Sequence, residues 1–151
     1  MPAGRADGPR VSVRGAGNGR VCPAAFLRRA VRATLARAAP AVLGDIAVVL
    51  TGDRKIRELN RTFRGIDRAT DVLSFDIGDG LEHDEPLGDI VISVETARRQ
   101  AHEYGAPLRT ELARLVVHGT LHLCGYDHRE PREAARMHGM TRRLVRELTG
   151  A

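Results

Sequence analysis

Apolar and polar side chains along this chain follow two different periods, and the changes between them divide it into strands and helices. Residues 10–15 ("RVSVRG") alternate apolar and polar side chains, as a half-buried strand does. Residues 45–51 ("DIAVVLT") form a short apolar run, which is typical of a buried strand. Segments 71–77 and 88–94 are also strand-like, so we expect four strands in all.

Between and after these strands, apolar residues recur every three or four positions, which indicates amphipathic helices. Asp53 is placed to cap the second of them. The fourth has apolar residues around most of its circumference, so we expect it to be buried. The predicted helices cover residues 23–38, 54–63, 95–104, 107 to about 124, and 131 to near the end of the chain. Strands and helices are mixed without strict alternation, which favours an α+β domain.

The length of 151 residues suits one domain, which we expect to span residues 10–151 after a disordered segment at 1–9. A glycine-rich stretch at 15–19 is predicted to be a plain turn, and the acidic stretch around His83 and Asp84 a solvated loop. Two cysteines make no disulfide framework, and no apolar run is long enough to be a signal peptide or a membrane span. We therefore expect a soluble cytoplasmic protein with no membrane partner.

Charge is unevenly distributed along the chain. The net charge is +9 over residues 1–64, −8 over residues 65–97 and +4 over residues 98–151, and all but one of the 24 basic residues are arginine. The planar guanidinium group suits phosphate, so a basic face could bind a polyanion. Solvated helix faces in an arginine-rich protein explain the same numbers. Aromatic residues make up only 3% of the chain, which argues against a platform that stacks nucleobases.

The stretch "HGTLHLCGYDH", residues 118 to 128, concentrates three histidines and an aspartate at the end of the buried helix. His118 and His122 are four residues apart, so both imidazoles project from one helix face, at the spacing with which two histidines grip one zinc ion. Gly125 lets the chain leave the helix sharply, and His128 is far enough along to fold back toward the same point. The spacing therefore predicts a three-histidine metal site.

Three imidazoles would leave the fourth tetrahedral position of Zn²⁺ open for water, as catalytic sites require. The ion would lower the pKa of that water and polarise a bound phosphoryl or carbonyl oxygen, so His118 would act in catalysis through the metal. Asp127 could accept an N–H from a ligand imidazole and fix its tautomer. Gly119 occupies the position at which zinc peptidases of the H-E-x-x-H type carry their glutamate base, which argues against peptide hydrolysis.

These residues resemble the H-G-x-L-H-L-x-G-Y-D-H signature of the YbeY family. The segment "LNRTFRGIDRATDVLSF" (59–75) is similar to the family's L-N-x-x-Y/F-R-x-x-D-x-x-T-D/N-V-L-S-F block, and "GDIVIS" (88–93) to its G-D-I-x-I-S strand. Order and spacing agree over roughly residues 11–148. One departure is Asp76, where many members have proline, and it puts a carboxylate near a strand end that could line the groove.

The resemblance implies a metal-dependent endoribonuclease that acts on single-stranded RNA in 16S rRNA 3′ end maturation and in ribosome quality control. It implies one zinc ion, or another divalent metal, on His118, His122 and His128, with the ribosome or its small subunit as partner. It also implies a mixed, roughly four-stranded sheet packed with helices around a central metal-bearing helix, in outline similar to zinc proteases. Arg64, in "FRG", would be a functional basic residue near the cleft.

Physical reasoning gives Arg64 and Ser74 possible roles beside the metal. Arg64 could pair with the scissile phosphate and offset charge that develops during attack, and an exposed strand edge with Ser74 could hold an extended RNA strand. A surface salt bridge from Arg64 to Asp67 or Asp71 is the structural alternative. Two further functions stay open: a ribosome-assembly or RNA-binding factor with a mainly structural zinc, and a zinc hydrolase of another class.

Overall fold

The computed structural model describes residues 8–15, 20–82 and 85–150. Three predictions therefore fall largely or wholly outside the described residues. They are the disorder of residues 1–9, of which only 8 and 9 are described, the glycine-rich turn, of which only Gly15 is described, and the solvated loop at His83 and Asp84.

The four predicted strands are present and form one mixed sheet. They are β1 (Val11–Gly15), β2 (Ile46–Thr51), β3 (Val72–Asp76) and β4 (Gly88–Ser93), in the spatial order β1-β2-β4-β3. β1, β2 and β4 are parallel to one another, whereas β3 pairs with β4 antiparallel, with Ser74 opposite Ile90. β3 is therefore an edge strand, and its outer side has no strand partner among the described residues.

The five helices also lie where the apolar period predicts them. They are α1 (Ala24–Ala38), α2 (Asp53–Arg64), α3 (Val94–Tyr104), α4 (Leu108–Leu123) and α5 (Pro131–Thr149). α3 starts directly after β4, and the Ser93 hydroxyl caps it by accepting the Thr96 N–H at 3.2 Å. α2 and α3 each end at a glycine with positive φ, Gly65 and Gly105, a conformation that costs glycine little. The structure is α+β, as predicted.

The predicted capping role of Asp53 is wrong. Gly52 is the N-cap of α2, and Asp53 is the first residue inside the helix. The Asp53 carboxylate instead accepts hydrogen bonds from the Ser93 and Thr96 hydroxyls, each at 2.6 Å, and from Arg99 at 2.7 Å. These partners lie about forty residues later in the chain, so Asp53 holds the start of α2 against the start of α3.

The two faces of the sheet are covered unequally. One face packs against α1 and α4, with α5 behind them, and encloses the main core. The other face is covered by α2 through a small cluster of Ile56, Leu73 and Val91. Buried side chains of the main core include Phe26, Leu27, Val31, Val48, Leu50, Ile90, Ile92, Leu112, Leu115, Val116, Leu121 and Leu144.

α4 is the central helix, as predicted, and two glycines let its last turns approach the sheet closely. A Cβ on Gly119 would lie 2.7 Å from Ile90 Cγ2, and a Cβ on Gly88 would lie 2.7 Å from Leu123 Cδ2. The C-terminal half of α4 is therefore held against β3 and β4. None of the helices in residues 8–150 that the structure describes is both long enough and apolar enough to cross a membrane.

Candidate metal centre

Three imidazoles converge where α4 ends. His118 and His122 lie one turn apart on α4, and His128 lies in the loop between α4 and α5. Their ring centroids are 4.7 Å (His118–His122), 5.2 Å (His122–His128) and 6.0 Å (His118–His128) apart. One possible ligand atom from each ring lies within 4.8 Å of the other two. The convergence predicted from the spacing is thus found in the structure.

A tight turn after α4 brings His128 back to the helix. The N–H groups of Gly125 and Tyr126 donate to carbonyls of the last helical turn at 3.0 Å each, and Gly125 has a φ of 92° that other residues rarely adopt. Asp127 Oδ1 accepts the main-chain N–H of His128 at 2.7 Å and of Arg129 at 3.2 Å. These contacts hold the Asp127 carboxylate to the loop backbone, whereas acceptance of an imidazole N–H stays a prediction.

Burial keeps the helical histidines neutral. Burial, followed by the neighbouring His122, lowers the pKa of His118 from 6.5 to about 4. Burial and the neighbouring His128 also lower the pKa of His122, although Asp127 and Asp76 act in the opposite direction. Neutral imidazole is the form that binds a metal ion, so both side chains are ready to bind at neutral pH without first losing a proton.

The donor set fits a metal ion with an open position. Two nitrogens bound to one zinc ion at about 2.0–2.1 Å lie at most about 4.2 Å apart, so small side-chain rotations would bring the three rings to one ion. Within the described residues, no fourth histidine, cysteine or carboxylate joins the cluster. Cys124 lies outside it, and burial raises the pKa of its thiol to about 11, which disfavours the thiolate.

Arg64 reaches the same region from the other side of the sheet. At the end of α2, its Nη2 donates to the carbonyl oxygen of Ser74 at 2.6 Å, and its guanidinium lies 5.6 Å from the Phe75 ring centroid. Its charge contributes to the lowered pKa of His122, so the two side chains are close enough to interact. The salt bridge to Asp67 or Asp71 is not seen, because Asp67 is bound by Arg57 and Arg64 is bound to β3.

The edge strand β3 lies between Arg64 and the histidines. The Ser74 hydroxyl donates to the Gly119 carbonyl at 3.1 Å and ties the strand to α4 next to His118. Its role in substrate binding stays a prediction. Asp76 is exposed two residues later, on the same side of the strand, and its charge opposes the lowering of the pKa of His122, so its carboxylate lies near the metal centre.

A polar network beside His118 is the part of the site that the sequence did not reveal. Glu111 is buried and binds Arg114 through two hydrogen bonds of 2.7 and 2.8 Å. Gln100 donates to Glu111 at 2.6 Å and to Asp71 at 3.2 Å. Asp71 and Arg114 both act on the pKa of His118.

A signal for this network was present in the sequence. Glu111, Arg114, His118 and His122 follow one another at intervals of three and four residues, so they form one polar stripe on an otherwise apolar helix. The partners Asp71 and Gln100 belong to other elements. Their contribution therefore depended on the tertiary fold.

Comparisons with known proteins agree on one family. The family profile described as "Endoribonuclease YbeY" matches residues 24–149. A protein of that name from Myxococcus xanthus is 52% identical over 106 residues, which are 68% of this chain but only 36% of that protein. One from Heliobacterium modesticaldum is 49% identical over 113 residues, which are 68% of each chain. One from Anaeromyxobacter is 46% identical over 132 residues, which are 82% of this chain and 69% of that protein.

A solved structure supports the fold. A protein from Thermotoga maritima with a solution structure is 29% identical in sequence to this chain. The two structures align over 93% of this chain and 89% of that one, with a TM-score of 0.64. The overall fold of this chain is therefore similar to that of a solved structure.

Proposed function

The chain belongs to the YbeY endoribonuclease family, and we propose that it cleaves single-stranded RNA at a zinc centre formed by His118, His122 and His128. The single observation that carries the proposal is the convergence of three imidazoles, at least two of them held neutral by burial, beside the exposed Arg64. Such a site has the groups needed to bind a metal ion and a phosphodiester together. Another divalent metal could take the same three ligands.

Different residues of the protein would bind the metal ion and the scissile phosphate. When bound, a zinc ion supplies a Lewis acid that polarises a phosphoryl oxygen. His118 and His122 hold their ring nitrogens on the stable frame of α4, and Asp127 holds the loop that carries His128. Arg64 is bound to the Ser74 carbonyl of β3, across this strand from the histidines. It would donate to a phosphate oxygen whose negative charge increases as the phosphodiester is attacked.

The free edge of β3 suits an extended substrate. It has no strand neighbour within the described residues, and it runs between Arg64 and the histidine face of α4. An RNA strand lying along this edge would place one phosphate between the guanidinium and the metal centre. The Ser74 hydroxyl and the Asp76 carboxylate border this position and would contact the nucleotides on either side.

We further propose the biological substrate that the family resemblance implies. The RNA would be ribosomal, with maturation of the 16S rRNA 3′ end and ribosome quality control as the processes served. The ribosome or its small subunit would be the partner, and the cytoplasm the compartment. The likeness in outline to zinc proteases also stays a proposal.

Two alternatives have less support in the geometry. A mainly structural zinc would need a closed set of four ligands, whereas the described residues supply three. A peptidase of the H-E-x-x-H type would need a glutamate base directly after the first histidine, but that position is Gly119, and a side chain there would point toward Ile90 and Ser74 of the sheet. Cleavage of RNA is therefore the function that the site supports best.

The proposed function is tested by incubating purified protein with labelled single-stranded and duplex RNA, with and without a chelator. His118→Ala and Arg64→Glu variants, purified in the same way, control for contaminating nucleases. We expect the wild-type protein to cut the single strand only, and both the chelator and either substitution to abolish cutting. Equal cutting by wild-type protein and the His118 variant would show that the histidine centre is not responsible.

A further inference from the structure

One side of α2 carries a row of arginines, most of which take no part in the metal centre. Arg54, Arg57, Arg61 and Arg64 follow one another at intervals of three, four and three residues, so they project from the same side of the helix. At 1.5 Å per residue the row is about 15 Å long. Its last member, Arg64, binds the Ser74 carbonyl beside the histidines. The row therefore leads from the metal centre along the outside of the molecule.

The loop after α2 folds back along this row and forms a groove with it. The Asn60 side-chain amide donates to the Arg68 carbonyl at 2.8 Å, and Arg57 binds Asp67 at 2.9 Å, so the loop is fixed to the helix. The groove has a volume of about 630 Å³. Arg68 adds a further guanidinium from the loop side. The residues that line the groove are Asp53, Arg54, Arg57, Glu58, Arg61, Asp67, Arg68 and Ala69.

Ion pairing leaves the groove with an excess of free positive charge. Each acidic side chain of the lining already has a basic partner. The pairs are Asp67 with Arg57 at 2.9 Å, Glu58 with Lys55 at 3.7 Å and Asp53 with Arg99 at 2.7 Å. In contrast, Arg54, Arg61 and Arg68 have no carboxylate within salt-bridge distance among the residues that the structure describes. Three exposed guanidinium groups in one groove thus lack a direct carboxylate partner and can bind an anion, although the charge of Arg61 also acts on the pKa of Asp67.

We propose that this arginine row binds the phosphates of the RNA strand next to the bond that is cut. The inference rests on the proposed function and adds the path of the substrate, from Arg64 at the metal centre to Arg54 at the far end of the groove. Guanidinium groups spaced along a line suit the repeated phosphates of one strand. An acidic protein segment fits less well, because Ala69 is the one apolar residue of the lining and protein interfaces need larger apolar anchors.

The test compares two triple variants with wild-type protein in binding a labelled single-stranded RNA of about ten nucleotides. The first is Arg54→Gln/Arg61→Gln/Arg68→Gln. The matched control, Arg142→Gln/Arg143→Gln/Arg146→Gln, removes the same charge from exposed arginines of α5. Fluorescence anisotropy gives Kd over a range of salt concentrations, a denaturing gel shows that the RNA stays intact, and circular dichroism compares the folds.

We expect the groove variant to bind at least about tenfold more weakly at ~0.1 M salt, with a salt slope about 2 units shallower, because three phosphate contacts are lost. The α5 variant should stay within about twofold of wild type. If both variants weaken binding equally, only net charge matters and the proposed path is wrong. It is also wrong if the groove substitutions weaken binding of polyglutamate and leave RNA binding unchanged.

Failure of this inference differs from failure of the proposed function. If wild-type protein cuts RNA but the groove variant binds RNA as tightly as wild type does, the arginine row does not bind the substrate. The proposed endoribonuclease activity is then unaffected. If wild-type protein neither binds nor cuts the RNA, the proposed function fails and the path fails with it.

Discussion

At the residue scale, burial determines the protonation state of the helical histidines. The pKa of His118 falls from 6.5 to about 4 because the charged imidazole would lose its hydration next to His122. A metal ion then competes with protons for this side chain only in acid. The same burial means that the metal-free protein must keep an uncharged histidine in its folded state, which makes its stability depend on pH.

We predict that metal-free protein loses stability as pH falls from about 6.5 toward 4. In this range the unfolded chain binds a proton at His118 that the folded chain does not, so the free energy of unfolding decreases as pH falls. Above about pH 6.5 neither state binds this proton, and His118 causes no loss of stability. Partial exposure reduces the effect to about 1–2 kcal/mol. Urea unfolding with chelator at pH 7.5 and pH 5 measures it. The His118→Gln variant should show a smaller difference between the two pH values; an equal difference would exclude His118 as the cause.

Arg64 provides a second prediction at this scale. Replacing it with glutamine should lower the rate of RNA cleavage about 10²–10³-fold, because the developing phosphate charge loses a donor. Metal content should not change, since the guanidinium binds the Ser74 carbonyl rather than a histidine. Arg29→Gln is the control, because this exposed arginine also lies over a ring, that of Phe26, but on α1. An unchanged cleavage rate in the Arg64 variant would show that Arg64 does not take part in the reaction.

At the element scale, the position of α4 depends on close contact with β3 and β4. Gly119 lies where the helix backbone meets Ile90, and the Ser74 hydroxyl binds its carbonyl. This contact fixes the two turns that carry His118 and His122. The glycine that follows the first histidine is therefore explained by packing, and it also removes the catalytic glutamate that a peptidase would need there.

We predict that Gly119→Ala destabilises the protein by about 1–3 kcal/mol, because the new methyl group would lie 2.7 Å from Ile90 Cγ2. Gly139→Ala is the matched control within α5, since its methyl group would meet no atom within 4 Å. There the change should stabilise the helix by about 0.5–1 kcal/mol. Thermal unfolding of both variants measures the difference. Equal effects at the two positions would show that α4 is not held by close packing at Gly119.

At the scale of the whole molecule, one buried carboxylate joins three parts of the fold. Glu111 on α4 binds Arg114 of the same helix and Gln100 of α3, and Gln100 continues to Asp71 at the start of β3. On α4, Arg114 lies one turn and Glu111 two turns before His118. The network thus couples the helix that carries His118 and His122 to the edge strand that would bind the substrate.

Removing Glu111 should therefore cost more than removing a surface carboxylate. We predict that Glu111→Ala destabilises the fold by about 2–4 kcal/mol, because Arg114 and Gln100 lose their hydrogen bonds to the buried carboxylate and keep only the more distant Asp71. Glu147→Ala removes an exposed partner of Arg37 and should cost less than about 1 kcal/mol. Urea denaturation of the two variants tests the comparison. A loss for Glu111→Ala as small as for Glu147→Ala would mean that the network does not stabilise the fold.

The sequence predicted local features better than long-range ones. Apolar periodicity located the four strands and five helices to within a residue or two, and the spacing of His118 and His122 predicted the cluster of three histidines, because both signals depend on neighbours in the chain. The sheet order and the antiparallel β3 depend on pairings between distant segments. Asp53 shows the same limit: its position suggested a helix cap, but its partners lie in α3 and in the last residue of β4.

A metal titration of RNA cleavage tests the role of the three-histidine centre. Zinc is added back to chelator-treated protein, and the rate of cutting of single-stranded RNA is followed against the number of ions bound per chain. We predict that the rate rises in proportion to bound metal, saturates at one ion per chain, and does not rise in the His118→Ala variant. A rate that is independent of bound metal, or restored by metal in that variant, would contradict the three-histidine centre as the site of catalysis.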